Sequence, residues 1–490
     1  MKNNTGALRR LAMGAGVIAL ALVGVSGISS AANAAGFPVV PDQTGSLTVH
    51  KYAGDPIPGA PNNGTKIDGP IPRTALQGVQ FTVWQVGKPS GSTCTPVSLT
   101  TPAGWADVTA ASAALAAAPG SIPTGFCAVT TAGTTQPTDA TGATTFAGLK
   151  GLYFVKETGA GDNLIKTPAA PFLVTVPFPV TGSGGTADSW LFDVHVYPKN
   201  QLNEFTPQKT VDASNKDGVV VPGAVVPWTI SVPVPKSPLP YTSLTIADVP
   251  AAGMTFTAWG TISVNGTALV PADYTITGAS VALTTSGLGK VNALAASGDV
   301  TVTAALTTTV TGTVVGSIKN DANVTLNGTT KPVNPPTTNW GTLRVLKQDA
   351  ASTTPLAGAE FAVYVKTGAD CTQLPTTPAA TGTTGSDGTF SQALWVSNTN
   401  AGAAAGTKDY CLKETKAPSG YVLDSAVRLV TISPAGTAVT NYTFPNTKVN
   451  GPQLPLTGAD GTVWFTVGGL ALIVVAAGAL LVLRRRRAEH

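Results

Sequence analysis

The chain of 490 residues contains only 11% charged residues, against roughly a quarter in average globular proteins, while glycine (54 residues) and proline (38 residues) are abundant. This composition favours strands and turns over surface helices. The formal net charge of +4 includes a C-terminal run of arginines, so the rest of the chain is close to neutral and has no basic stripe that would bind nucleic acid.

The N-terminus has the layout of a secretory signal peptide. Three positive residues within the first ten precede an apolar segment from Leu11 to about Ile28, and small residues follow. This order predicts export, with cleavage after Ala34 or Ala35, so residues 1–35 are assigned to the signal peptide. Without this segment and a C-terminal one, about 420 residues remain, which suits three domains of ordinary size.

The first segment of the mature chain, residues 36–200, reads as β-structure. Apolar and polar residues alternate over Ser46–Lys51, as in a half-buried strand, and further β patterns follow at Gly151–Thr158 and Pro171–Val176. A helix is expected only at Thr109–Ala118, where alanine predominates and a proline ends the run.

The motif Trp190–Lys199 closes this segment. The alternation of Leu191, Asp193 and His195 against Phe192, Val194 and Val196 predicts a strand. Pro198 interrupts the ladder of backbone hydrogen bonds, so Lys199 is expected at the domain edge. By the simplest interpretation of these residues alone, a hydrophobic strand ends here in a solvated lysine.

Residues 201–338 form a middle segment with its own pattern. Strands are predicted at Val226–Val232 and at Leu244–Pro250, the second ending in a turn, and threonine alternates with valine from Asp299 to Val315. Short strands separated by turn signals predict an antiparallel sandwich. A stiff, proline-containing linker follows at Asn334–Thr337.

Residues 339–449 repeat the layout of the first segment. Gly341–Lys347 is a predicted first strand that again ends in a lysine, and Tyr410–Thr415 and Tyr153–Thr158 share the pattern Tyr-x-x-Lys-Glu-Thr. Another β pattern follows at Arg428–Ile432. Two copies of one domain type are the simplest explanation.

Four cysteines, Cys94, Cys127, Cys371 and Cys411, lie in a chain with an export signal, so disulfides are permitted. Of the three possible pairings, sequence separation favours Cys94 with Cys127 and Cys371 with Cys411. The absence of a C-x-x-C spacing leaves a redox or zinc role without support. The three histidines are too few for a metal cluster or a hydrolase triad, so no metal and no cofactor is expected.

The C-terminus carries an apolar run from about Val463 to Leu483, close to the roughly 20 residues that a helix needs to cross a bilayer. The arginines at 484–487 would stay on the cytoplasmic side. Just before this run the chain reads Leu-Pro-x-Thr-Gly, formed by Leu454, Pro455, Leu456, Thr457 and Gly458. A chance occurrence of this motif before an ordinary membrane anchor is the alternative interpretation.

The tail as a whole, residues 450–490, resembles the cell-wall sorting signal of Gram-positive surface proteins. The resemblance implies that a sortase cysteine attacks the carbonyl carbon of Thr457 and releases everything after it. The helix would then hold the substrate at the membrane only until cleavage.

With that tail present, Trp190–Lys199 resembles the pilin motif W-x-x-x-V-x-V-Y-P-K of sortase-assembled shaft pilins, and every fixed position is matched. The resemblance implies that the ε-amine of Lys199 resolves the acyl-enzyme formed at Thr457 of a neighbouring subunit. The product would be a head-to-tail covalent polymer.

Internal cross-linking is the second chemistry that the residues suggest. A lysine amine attacks an asparagine amide only when it is neutral, and burial lowers its pKa in that direction. A buried protonated acid can polarise the asparagine carbonyl and shuttle protons as ammonia leaves. In the third segment Lys347, Glu414 and Asn446 fit this scheme. They resemble the collagen-adhesin B-type domain, whose E-box looks like residues 410–418.

The middle segment offers Lys209 on its first strand, Asp248 in a turn and Asn320 further on. This set resembles the A-type variant of the domain, in which an aspartate replaces the glutamate. Asn323 is a rival acceptor to Asn320, which we prefer.

In the first segment, Lys51, Glu157 and Asn200 would complete a third set. However, Asn200 adjoins Lys199, and some members of the family lack or delay this first bond. The formation of a bond here therefore stays open.

The predicted fold class is all-β, with three tandem Ig-like β-sandwich domains: B-type at 36–200, A-type at 201–338 and B-type at 339–449. The resemblance covers the whole chain and implies the major shaft subunit of a covalent pilus, exported, anchored to the cell wall and supporting adhesion. It implies a sortase substrate and not an enzyme.

The implied partners are identical subunits, a pilin-class sortase and a housekeeping sortase, tip and base pilins, and peptidoglycan, with a host receptor or glycan left open. The alternative is a monomeric sortase-anchored adhesin that binds host matrix or a receptor. In such a protein Lys199 would have no special role.

Overall fold

A computed structural model describes residues 40–54, 63–181, 187–212, 223–311, 316–434, 439–451 and 460–487. The expected signal peptide and the motif at 454–458 lie outside the described residues. The chain forms two compact units. The first comprises residues up to 342 with 393–408 and 432–438, and the second comprises 343–392, 409–431 and the residues from 439 onward. The division into three domains at 200/201 and 338/339 stays a prediction.

The first segment is a β-sandwich whose buried residues form two core clusters. Its strands are β1 (Gly45–His50), β2 (Tyr52–Ala53), β3 (Gln80–Ser90), β4 (Thr93–Pro96), β5 (Cys127–Ala128), β6 (Thr134–Pro137), β7 (Ala143–Leu149), β8 (Gly151–Gly159), β9 (Ile165–Thr167), β10 (Phe172–Val176), β11 (Phe178–Thr181), β12 (Ala187–Leu191), β13 (Asp193–Val196) and β14 (Lys199–Leu202).

Two main sheets build this sandwich, with the strand orders β13-β1-β7 and β10-β8-β3-β4, while β5 and β6 also pair with β3. Smaller ladders join β11 to β12, and β14 to β2 and β9. Leu47 and Val49 of β1 are fully buried against Phe81 of β3 and Phe146 of β7, as the predicted alternation requires. The cluster that contains these residues thus lies between the two sheets, and a second cluster includes residues of the helix described next.

A helix, α1 (Pro102–Ala117), crosses the first segment and begins seven residues before the predicted Thr109. Thr101 caps it by accepting from Gly104 N across 3.1 Å, and a proline occupies the first turn. A Cβ at Gly104 would lie 1.5 Å from the Ser98 carbonyl oxygen, so only glycine fits this contact. The alanine run marks only the C-terminal half, because the cap and close packing specify the start.

The middle segment is an antiparallel sandwich, as predicted. Its elements are β15 (Gln208–Val211), β16 (Val225–Val234), β17 (Leu244–Pro250), β18 (Met254–Val264), β19 (Thr267–Ala268), a 3₁₀ turn (Pro271–Asp273), β20 (Tyr274–Thr277), β21 (Ser280–Leu283), α2 (Thr285–Ala295), β22 (Val300–Val310), β23 (Gly316–Leu326) and β24 (Thr329–Pro332). One sheet has the order β15-β16-β22-β18-β19, and β20-β21-β17-β23 belong to the other.

Two features of the middle segment differ from what its sequence pattern predicts. A helix was expected only near Thr109–Ala118, but α2 is a second one, capped by Thr284 and held by the burial of Leu288 and Val291 in the core. Asp248 was expected in a turn, but it lies within β17, which pairs with β23 as far as Pro250. In both cases tertiary packing overrides weak local propensity.

The third segment contributes β25 (Thr337–Asp349), β26 (Glu360–Val365), β27 (Ala380–Thr383), β28 (Thr389–Thr399), β29 (Lys408–Lys416), β30 (Arg428–Ile432) and β31 (Val439–Asn446). One sheet has the order β27-β26-β29-β30, while β28 and β31 pair with β25. The predicted linker at Asn334–Thr337 is short, since β25 already starts at Thr337 and pairs with β23 through Trp340.

The last element is α3 (Asp460–Arg487). Its stretch Phe465–Arg485 has 21 residues and a mean hydropathy of 2.5, which is long and apolar enough to cross a membrane.

Candidate cross-linking sites

In the first segment the ends of three strands bring Lys51, Glu157 and Asn200 together in the core. Lys51 follows β1, Glu157 lies on β8, and Asn200 is the second residue of β14. All three are buried. Lys51 Nζ donates to Asn200 Oδ1 and lies 2.8 Å from Glu157 Oε2, while Asn200 Nδ2 donates to Glu157 Oε1 across 2.6 Å.

The surroundings of Lys51 favour its neutral form. Burial lowers the pKa of its amine to about 8, against the opposing charge of Glu157. Its Nζ lies 5.6 Å from the centre of the Phe81 ring. The second carboxyl oxygen of Glu157 accepts from Ala169 N across 3.0 Å, which fixes the orientation of the carboxyl group. The amine therefore faces an amide carbonyl at a site without bulk water.

The third segment reproduces this arrangement with Lys347 on β25, Glu414 on β29 and Asn446 at the end of β31. Lys347 Nζ donates to Asn446 Oδ1 and lies 3.2 Å from Glu414 Oε1. Asn446 Nδ2 donates to the same Oε1 atom across 2.8 Å, and Asp424 N donates to Oε2 across 2.9 Å. The carboxyl is thus oriented by one backbone N–H in both segments.

Aromatic rings enclose the third site. Lys347 Nζ lies 4.5 Å from the centre of the Phe444 ring and 6.0 Å from that of Phe361. Burial lowers the pKa of Lys347, and the carboxylates of Glu414 and Asp424 oppose that shift. These rings and the orienting backbone N–H groups were not identified from the sequence, although Phe444 lies only two residues before Asn446.

The middle segment has a different geometry. Lys209 of β15 donates to Oδ1 of Asp248 and, across 3.0 Å, to the backbone oxygen of Asp321. Burial lowers the pKa of Lys209 to about 8 and raises the pKa of Asp248, against the opposing effects of Lys209 and Asn320 on that carboxyl. Asn320 is fully buried, whereas its rival Asn323 lies on the exposed face of β23.

Lys199 lies at the start of β14, which pairs with β2 through Lys199 and Tyr52. It is half-buried rather than solvated: Nζ donates to the backbone oxygen of Tyr197 across 2.8 Å and lies 5.4 and 5.5 Å from the ring centres of Tyr52 and Tyr197. Burial and the nearby Arg73 lower the pKa of its amine. The alternative interpretation of a solvated lysine after the last ladder does not describe this half-buried position.

The rest of the Trp190–Lys199 motif anchors this lysine. Val194 is buried in the core, and Trp190 packs against Trp105 of α1 with ring centres 5.7 Å apart. Because β14 follows directly, Lys199 and the buried Asn200 point to opposite faces of one strand. One short strand thus carries both a candidate external linkage and a candidate internal one.

The structure contains two disulfides, Cys94–Cys127 and Cys371–Cys411, the pairing that sequence separation favoured. The first ties β4 to β5 beside α1, and the second reaches β29, the strand of Glu414. Within the part of the chain that the structure describes, no group of three or more His, Cys, Asp or Glu side chains could hold a metal ion.

Comparison with known families matches three parts of the chain. Residues 42–201 match the family described as Gram-positive pilin subunit D1, N-terminal domain. Residues 341–448 match a prealbumin-like fold domain, and residues 446–489 match the LPXTG cell wall anchor motif.

Whole-length relatives agree with these matches. The chain is 32% identical over 551 aligned residues to fimbrial subunit type 2 of Actinomyces naeslundii, covering 100% of this chain and 99% of the relative. It is 28% identical to fimbrial subunit type 1 of Actinomyces viscosus, with 96% of each chain covered. Among solved structures, the full-length major pilin SpaD of Corynebacterium diphtheriae is 26% identical, with 84% of this chain and 99% of that chain covered and a TM-score of 0.45.

The all-β fold, the anchor motif and the identity over the full length lead to one conclusion. The chain belongs to the Gram-positive fimbrial subunit family, as a major pilin of a cell-wall-anchored pilus that serves as a structural subunit and a substrate of sortase rather than as an enzyme.

Proposed function

We propose that subunits of this pilin are joined by an amide bond between Lys199 and Thr457. A pilin-class sortase would first attack the Thr457 carbonyl carbon with its cysteine thiolate, which breaks the Thr457–Gly458 peptide bond and leaves a thioester. The neutral amine of Lys199 from the next subunit then attacks the thioester carbon, the amide forms, and the cysteine leaves as the thiol.

The setting of Lys199 carries this proposal. The Tyr197 carbonyl fixes the position of its amine, and partial burial lowers the pKa of that amine, which favours a neutral nucleophile over a solvated cation. The lysine also terminates a motif in which Val194 is buried in the core and Trp190 packs against Trp105, so its position is fixed relative to the sandwich.

A Lys199→Ala strain tests the linkage. Immunoblots of wall extracts should lose the high-mass ladder and retain a single anchored subunit. Lys150→Ala, another partly exposed lysine of the same domain, is the matched control and should keep the ladder. A ladder that persists in the Lys199→Ala strain would refute the shaft linkage and favour the monomeric adhesin.

We further propose that Lys51–Asn200, Lys209–Asn320 and Lys347–Asn446 become internal isopeptide bonds. In each, the neutral amine attacks the asparagine side-chain carbonyl carbon, the bond to the amide nitrogen breaks, and ammonia leaves with protons shuttled by Glu157, Asp248 or Glu414. The reaction is a single self-modification without turnover.

The amine-to-carbonyl contacts at Lys51 and Lys347 support the first and third of these bonds most directly. The middle bond is supported by the shared burial of its three residues and by the opposite pKa shifts of Lys209 and Asp248. Intact mass of the exported subunit should fall short of the sequence mass by one ammonia per bond, in addition to the hydrogens lost to two disulfides.

The proposal extends to the partners of this subunit in pilus assembly. We propose that a pilin-class sortase elongates the fibre, that a housekeeping sortase transfers the last subunit to peptidoglycan, and that tip and base pilins complete it. Isopeptide bonds between the first and last strands of a domain would transmit tension along the shaft without separating the strands of its sheets.

A further inference from the structure

Two imidazoles lie beside Lys199 without a part in the linkage or the internal bonds. His50 is the last residue of β1, and His195 lies on β13, which runs parallel to β1 with Thr48 opposite His195. His50 Nε2 and His195 Nδ1 are 2.9 Å apart. A hydrogen bond between two ring nitrogens requires a proton on one and a lone pair on the other, so two fully protonated rings cannot keep it.

The His50 ring connects this pair to Tyr197. The two rings stack with centres 4.6 Å apart and planes 7° apart, while the rings of His50 and His195 are 5.2 Å apart. Tyr197 is held at two further points: its hydroxyl accepts from Ile67 N across 2.8 Å, and its backbone oxygen accepts from Lys199 Nζ across 2.8 Å. The residue that holds the lysine amine is thus itself held by His50.

The charges around the pair oppose its protonation. His50 faces Lys66 and Lys199, with Asp139 acting in the other direction. Burial, His195, Lys66 and Lys199 lower the pKa of His50 to about 4, against the opposing charge of Asp139.

Burial and the charge of Lys66 lower the pKa of His195, against the opposing charge of Asp193. Arg73 adds a further positive charge next to Lys199. At neutral pH both rings are therefore neutral, and in acid each added proton would raise the repulsion among these cations.

We propose that the neutral His50 ring, paired with His195, is a positioning element for the Lys199 amine, acting through its stack on the Tyr197 ring, and that protonation of both imidazoles disengages it. The inference rests on the proposed role of Lys199 as the acceptor amine. The imidazoles do not contact the reacting atoms. They fix the Tyr197 ring and its backbone carbonyl, which orient the Lys199 amine. Acid would therefore reduce linkage beyond the loss caused by protonation of the lysine itself.

The test uses the full chain in detergent, carrying Thr457→Ala so that it acts only as an acceptor, with a pilin-class sortase and a Leu-Pro-Leu-Thr-Gly peptide as donor. His50→Ala should lower the kcat of transfer to Lys199 on the order of ten- to a hundredfold with little change in KM, as expected for a misplaced nucleophile. His50→Phe keeps the stacked ring and should keep the neutral-pH rate within about twofold. Thr48→Ala, on the same strand, is the control.

The dependence of the transfer rate on pH distinguishes a positioning role of His50 from a merely structural one. The wild type should show an additional fall in rate on acidification that His50→Phe lacks. In an NMR titration of the wild type, the chemical shift of the Ile67 amide should change over the same pH range as the shifts of the two imidazole rings. A His50→Ala rate equal to that of Thr48→Ala, an unchanged acid fall in His50→Phe, or an unmoved Ile67 signal would each overturn the proposal.

Lys199→Arg distinguishes the two levels of inference. If this variant still accepts the peptide at the wild-type rate, the linkage assignment itself fails. If it is inactive while His50→Ala behaves like the wild type, only the positioning role fails.

Discussion

Asn446 donates a hydrogen bond from Nδ2 to Oε1 of Glu414 across 2.8 Å, so the carboxyl group faces the nitrogen that would leave as ammonia. An acid at the leaving group can supply the proton that turns an amide nitrogen into a neutral leaving molecule. Asn200 and Glu157 share the same relationship across 2.6 Å. Two separate sites thus place the carboxyl group at the leaving nitrogen in the same way.

Replacing Glu414 with glutamine tests this alignment. Glutamine keeps the shape of the side chain but cannot transfer the proton, so the Lys347–Asn446 bond should not form. Intact mass of Glu414→Gln should then exceed its bonded value by one ammonia. Glu360→Gln, at an exposed glutamate that pairs with Lys416, should keep the wild-type mass deficit. A full deficit in Glu414→Gln would show that the acid is dispensable.

The sequence was sufficient to identify the side chains of these sites because each one sits in a repeated strand pattern. Lys51 directly follows a first strand and Lys347 lies near the end of one, each with alternating burial before the lysine, and Glu157 and Glu414 share the pattern Tyr-x-x-Lys-Glu-Thr. The N–H groups that orient the carboxyls could not be identified, because Ala169 and Asp424 contribute backbone atoms and any residue type would serve.

The middle segment shows where local signals fail. Val249 and Pro250 suggested a turn, but β17 continues to Pro250 because it pairs with β23 along its whole length. Helix α2 contains two glycines and two threonine or serine residues in its first turns, a weak helix signal. Burial of Leu288, Val291 and Ala295 in the core offsets that weakness.

The internal bond between Lys347 and Asn446 should stabilise the third segment strongly. It closes a separation of 99 residues, and in the chain-entropy model a loop of about 100 residues is worth about 4.7 kcal/mol. Urea unfolding should therefore show Glu414→Gln less stable than the wild type by about 4–5 kcal/mol. Asn446→Ala should lose about a further 1–3 kcal/mol, because the buried Glu414 Oε1 atom loses its hydrogen bond from Asn446 and keeps only its contact with Lys347. Equal stability of wild type and Glu414→Gln would contradict a bond in this segment.

The disulfide Cys94–Cys127 should stabilise the part of the first segment around α1. It closes a separation of 33 residues, worth about 3–4 kcal/mol in the same model. A Cys94→Ser, Cys127→Ser variant should lose protection from amide hydrogen exchange in α1 and in the strands beside it. The β1 and β13 amides next to Lys199 should keep theirs, because they belong to a different core cluster. Uniform loss of protection across the segment would show that the disulfide supports the whole domain.

The pH dependence of bond formation in the middle segment follows from the opposite pKa shifts of its charged pair. The reactive form, a neutral Lys209 beside a protonated Asp248, carries the same number of protons as the ion pair, so it is populated only between the two pKa values. Below the raised pKa of Asp248 the pair takes up a proton and the amine stays cationic. Above about pH 8, the pKa of Lys209, the pair loses its proton and Asp248 can no longer serve as the acid.

The rate of bond formation should therefore have a bell-shaped dependence on pH. It should fall above about pH 8 instead of rising with the fraction of neutral amine. The full chain, kept unfolded in urea and then refolded at a series of pH values, can be quenched at intervals and its ammonia loss followed by intact mass. Asp248→Asn removes the acid of this pair and should abolish the reaction at Asn320 at every pH. Asn323→Ala, on the exposed face of β23, is the control and should leave the pH profile of the rate unchanged. A rate that climbs steadily from pH 8 to pH 10 would mean that the free amine alone limits the reaction and that the carboxyl of Asp248 does not supply the proton.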